Sequence, residues 1–73
     1  MRVDPDRVTD TFENVEVLAE THLALLCVIE GDDYWIPRSQ IREGTEIGSK
    51  HEIGRLVVSH WIAVEKGLID DNP

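Results

Sequence analysis

The chain contains one cysteine, Cys27, so it can form no internal disulfide, and the residue's place inside an apolar run fits a reducing cytoplasm. Of three prolines only Pro37 lies away from the ends. Aromatics are scarce as well: Phe12, Tyr34, Trp35 and Trp61 are all there are, and a small core with so few large side chains is expected to bury both tryptophans. The longest apolar run, Leu23–Ile29, falls far short of the ~20 residues that span a bilayer. Residues 1–7 lack the apolar segment of a signal peptide, which again points to the cytoplasm. Basic residues are few and scattered, seven against fifteen acids, so free nucleic acid is not expected as a direct partner.

Signatures of chemistry are missing too. His22, His51, His60 and Cys27 follow no compact metal-ligand spacing, and His51-Glu52 has no second histidine four residues on. Ser39 and Ser59 sit in no nucleophile elbow, and Ser59 is better explained as a helix cap. No glycine-rich loop leads into a helix to hold a phosphate. These residues predict a protein that is not an enzyme and carries no metal or cofactor.

What is present is negative charge, and it is lopsided. The net charge is −8, and residues 1–36 hold nine acids against Arg2 and Arg7, leaving residues 37–73 nearly balanced. An acidic face can serve solubility alone, or it can dock on something basic. With 73 residues the chain makes one domain at most, and one that buries only about 60% of its unfolded surface. The 41% apolar content suffices for a core, whereas 30% charged residues argue against a membrane protein.

Taken in order, residues 1–10 read as a flexible arm, residues 11–69 as one β-rich domain and residues 70–73 as a tail. Phe12–Glu20 alternates, with Val15, Val17 and Ala19 on one face and Glu16, Leu18 and Glu20 on the other, although its helix formers leave a helix as the competing reading. Leu23–Ile29 reads as a central strand covered on both faces. Glu30–Asp33 is a hairpin turn, and Tyr34–Pro37 returns as an edge strand or one about to end, since proline donates no ladder bond. Residues 42–54 are loop with one short strand near Glu46–Gly48. Leu56-Val57-Val58 is a strand, and Ser59 with Gly67 brackets a short helix whose Trp61, Val64 and Leu68 fall on one side. The fold class expected is mainly β: a small antiparallel sheet or SH3-like barrel of four to five strands with one short C-terminal helix.

The strings LLCVIEGDDYWIPRSQI and LVVSHWIAVEKGL carry a resemblance. They are similar to a group of small bacterial and bacteriophage-borne proteins that share Trp-Ile-Pro-basic-Ser-Gln-Ile, then a valine strand and Trp, Ala and Lys-Gly-Leu. The match covers residues 20–69 and implies a phage or mobile-element context more than an activity. The acidic first strand lies outside it.

Together these readings suggest a phage-borne inhibitor that occupies a basic nucleic-acid-binding surface on a host defence protein such as a CRISPR effector subunit, as some anti-CRISPR proteins do. Glu13, Glu16, Glu20, Glu30, Asp32 and Asp33 would form its acidic face, with Tyr34 as apolar anchor. The apolar Leu23–Ile29 strand also suggests a homodimer. Two alternatives stand beside this. A nucleotide or small-molecule sponge would need a pocket lined by Arg38, Arg42, Lys50 or Arg55, and a structural or regulatory module would act by self-association.

Overall fold

Glu30 and Gly31 take φ values of 52° and 88°, the left-handed pair that a two-residue hairpin turn requires, and glycine adopts its half without strain. That turn joins β2 (Ala24–Ile29) to β3 (Asp32–Pro37). The computed structural model describes residues 8–69, and the remaining elements are β1 (Thr9–Glu20), a 3-10 turn at Arg38–Gln40, β4 (Ile53–Ser59) and α1 (His60–Glu65). The chain is mainly β: four antiparallel strands in one open sheet, in the order β3-β2-β1-β4, with a short helix at the C-terminal end. Among the described residues no helix is long and apolar enough to cross a membrane.

β1 runs on through Thr9 and Asp10, which pair with Ser59 and Val58, so the arm expected over residues 1–10 ends earlier than its composition suggested. Residues 1–7 and the tail at 70–73 lie outside the described part. Two bulges let this twelve-residue strand serve both neighbours. Glu13 and Asn14 together oppose Arg55, with Asn14 at a φ of 56° that asparagine tolerates. The extra residue resets the alternation, so Phe12 and Val15 both face the core despite their odd spacing. Leu18 is the extra residue of the second bulge, between the pairs Val17–Cys27 and Ala19–Leu26.

The core gathers Val15, Val17, Leu25, Cys27, Ile29, Ile36, Ile47, Leu56, Val58, Ile62 and Ala63 on one face of the sheet. β2 is therefore buried on that face only; Ala24, Leu26 and Val28 on its other face are half-buried. The strand closed in on both faces is the second half of β4, where Leu56, Val57, Val58 and Ser59 are all buried. The reason is the segment that follows the 3-10 turn. Ile41 bridges to Val58, Arg42 N–H donates to the Val57 carbonyl at 2.7 Å, and Glu46 N–H to the Arg55 carbonyl at 2.8 Å. Side chains complete the seal: the Thr45 hydroxyl accepts the Val57 N–H at 2.9 Å and a Glu46 carboxylate oxygen the Arg55 N–H at 3.0 Å. Gly54 leaves room for this, since a Cβ there would lie 3.2 Å from that oxygen. The expected strand near Glu46–Gly48 does not form, because Thr45 and Glu46 use side chains where a fifth strand would use backbone.

Ser59 is fully buried and caps α1, accepting the Ile62 N–H at 3.2 Å and donating to Gln40 Oε1 at 2.6 Å. At the other end Gly67 (φ 75°) closes a Schellman motif, with Leu68 N–H on the Ala63 carbonyl and Gly67 N–H on that of Val64. The buried cap sets the rotation of the helix, which turns Ile62 and Ala63 into the core and leaves Trp61 53% exposed. Trp35 is 44% exposed as well. Both tryptophans thus lie outside the core expected to hold them; branched aliphatics fill it instead.

Two predictions follow from this packing. Leu56→Ala, at a fully buried site, should lower unfolding stability by about 2–5 kcal/mol, and Trp61→Ala by less than half as much. Equal losses in denaturant titrations would contradict the placement of Trp61. Burial also pushes the Cys27 thiol up from 9.0 to about 11. The folded thiol then stays neutral while the unfolded chain ionises, so its contribution is full below pH 9 and lost as pH rises through 11. Across that window the parent should lose about 2–3 kcal/mol more stability than Cys27→Ala, as read by titrations at stepped pH.

Candidate functional site

The described residues enclose no ligand-sized cavity, and no three His, Cys, Asp or Glu side chains among them gather to hold a metal ion. The bases proposed for a nucleotide pocket are dispersed. Arg38 donates through Nε to the Thr21 carbonyl at 3.0 Å and pairs with Glu20 at 3.5 Å. Arg55 lies 3.0 Å from Glu13, and that hydrogen bond, with the charges of Glu13 and Glu46, pushes the guanidinium further above its ordinary value. Arg42 donates to the Ser39 carbonyl at 2.7 Å. Ser59, His60 and Asp10 come close in space, with His60 Nδ1 2.7 Å from Asp10 Oδ2, but the Ser59 hydroxyl donates to Gln40. The cluster fastens the start of α1 to β1 and the 3-10 turn.

The surface open to a macromolecule is the sheet face away from the core. Register places its residues in rows across the strands. One row runs Asp33, Val28, Glu16, Ile53, and the next runs Trp35, Leu26, Ala19. Ile53 is 65% exposed. Glu16 and Asp33 stand two strands apart, about 10 Å, with Val28 between them. Glu30 and Asp32 extend the negative charge around the hairpin tip, where both are exposed. Among the described residues, no ion pair or side-chain hydrogen bond engages Glu16, Glu30, Asp32 or Asp33.

The six acids and Tyr34 proposed from the sequence do not form one face. Alternation along β1 would put Glu16 and Glu20 on the same side, but the bulge at Leu18 reverses the phase. Glu20 pairs in register with the buried Leu25, and its carboxylate brackets the structure from the sheet margin, accepting the Lys50 N–H at 2.8 Å beside Arg38. Glu13 is occupied by Arg55. Tyr34 packs against the core, and the aromatic on the open face is its neighbour Trp35. Sequence reasoning missed Trp35, Val28 and Ile53. The signal was available for the first: with Ile36 inward, strand alternation turns Trp35 outward. No family model, curated protein or solved structure matches this chain.

The division between engaged and free acids is measurable. Glu20→Ala should cost about 1 kcal/mol through the stranded Lys50 N–H and the lost Arg38 contact, while Glu16→Ala should change stability by less than about 0.5 kcal/mol. Thermal unfolding of the two variants against the parent checks it, and the reverse order would show that Glu16 is the structural acid.

Proposed function

We propose that this chain is a protein-binding module that docks on a basic partner surface, and that in its narrower form it is a phage-borne inhibitor occupying the nucleic-acid-binding surface of a host defence protein such as a CRISPR effector subunit. The observation that carries the reading is the row Asp33–Val28–Glu16–Ile53, with Glu30 and Asp32 at its end: four carboxylates free of internal partners among the described residues, set beside the half-buried Val28 and the exposed Ile53 on one sheet. Carboxylates already paired with arginines would have to give those pairs up on binding; these do not. Spaced negative charge steers encounter with a positive groove, and Val28 and Ile53 supply the desolvated contact that exposed charges lack. The lopsided charge and the resemblance to phage-borne proteins support the narrower form. A nucleotide sponge is less well supported, because Arg38, Arg42 and Arg55 point to different places and are engaged.

Immobilised parent protein should retain, from a bacterial lysate cleared of nucleic acid, proteins that bind DNA or RNA through basic grooves, and added salt should release them. Reversing both Glu16 and Asp33 to lysine should weaken that binding by about tenfold or more, about 1.4 kcal/mol, whereas Glu43→Lys, the same change away from the row, should leave it intact. Equal retention by the double variant would mean that the row is only a solvated surface.

A further inference from the structure

The two edges of the sheet differ. Along β4, Arg55 and Val57 have their outward backbone groups satisfied by Glu46, Arg42 and Thr45. Among the described residues, β3 has no such cover. In a hairpin closed by two residues, Ile29 and Asp32 exchange hydrogen bonds, and so does every second pair after them: Cys27 with Tyr34, then Leu25 with Ile36. Arg38 N–H, donating to the Leu23 carbonyl at 2.8 Å, continues that phase. What faces outward is therefore the N–H and C=O of Asp33, both groups of Trp35, and the carbonyl of Pro37, whose missing N–H lies on this same open side.

We propose that two copies of the chain join β3 to β3, antiparallel, about a two-fold axis at Trp35. The outward groups permit this register. With Trp35 opposite Trp35 of the second copy, those two residues exchange two hydrogen bonds. Each Asp33 N–H then donates to the Pro37 carbonyl across from it, while the Asp33 carbonyl, with no proline N–H opposite, stays with water. Centring on Asp33 would set its carboxylate directly against its own copy, and centring on Pro37 would oppose two residues that have no donor. Charge favours the same choice, because the Trp35 register brings Asp32 of one chain alongside Arg38 of the other. Trp35 and its row neighbour Leu26 lie on the open face, and the pairing covers an indole that is now 44% exposed with its symmetry mate.

Asp32, Asp33 and Pro37 are residues that guard a sheet edge against pairing. Here they guard the ends of β3 and leave its middle open, which confines pairing to registers centred near Trp35. The sealed β4 edge stops assembly at two copies and prevents an open fibre. The pairing is independent of the proposed target, since the row from Glu16 to Asp33 remains exposed on the joined sheet.

Sedimentation of the full chain from low to high micromolar concentration tests the proposal. The parent should reach a dimer. Trp35→Asp, which sets two carboxylates across the axis, should remain monomeric with an unchanged circular dichroism spectrum, while Ile53→Asp, at the far margin of the same face, should dimerise as the parent does. Trp35→Cys should form a disulfide-linked dimer with oxidised glutathione as electron acceptor, because paired strands hold opposed Cα atoms within disulfide reach, and Ile53→Cys should not. A parent that stays monomeric at high micromolar concentration overturns the proposal. So does loss of the dimer in Ile53→Asp, which would mean that the copies meet face to face.

Discussion

The structure depends on satisfying the backbone of β4 on the side that faces away from β1. A buried strand cannot leave its N–H and C=O groups without partners, and at Arg55 and Val57 those groups point where a four-stranded sheet has nothing more to offer. The chain answers with Arg42, Thr45 and Glu46, two of them through side chains. This seal keeps Val57 from water, holds Leu56 and Val58 against the core, and delivers a fully buried Ser59 to the start of α1. No buried side-chain nitrogen or oxygen among the described residues is left without a partner.

A second set of consequences comes from β1. One strand must pair with β2 along one side and β4 along the other, and two bulges provide the bend. Each inserted residue reverses which side chains face inward. The first brings Phe12 and Val15 to the same face, and the second sends Glu16 and Glu20 to opposite ones. Acids that look equivalent in the sequence therefore take unlike work. Glu13 and Glu20 bind arginines, Glu46 accepts the Arg55 N–H of β4, Glu52 accepts the Gly48 and Ser49 N–H groups in the loop ahead of it, and Glu16, Asp32 and Asp33 stay unengaged. The surface that charge counting points to is smaller than the count of acids, and more apolar.

That combination underlies both functional proposals. The open face carries an acidic row with aliphatic neighbours, suited to a basic partner, and beside it an edge strand whose middle residue is an exposed tryptophan. Small domains bury a limited fraction of their surface, and this one leaves Trp35, Trp61, Ile53 and Leu23 in contact with water. Trp61, on the outer side of α1, has no place in either proposal, and nothing in the structure explains its exposure.

Local chemistry in the sequence was enough to determine the strand-rich class, a hairpin turn within Glu30–Asp33, the short helix with its Ser59 cap and Gly67 end, and the inward face of Val15 and Val17. Each of these rests on contacts between residues near one another in the chain: a turn that needs positive φ, a hydroxyl three residues from an amide, an alternation of period two. Only the tertiary structure decided which strand would be covered, where β1 would bulge, and which carboxylates would be consumed. Those outcomes depend on partners far apart in sequence, such as Glu20 with Lys50 or Thr45 with Val57, and periodicity holds no record of them. The tryptophans show the same division. Hydrophobicity argues for burying both, but their orientation follows from the phase of β3 beside β2 and from the rotation that a buried cap imposes on α1.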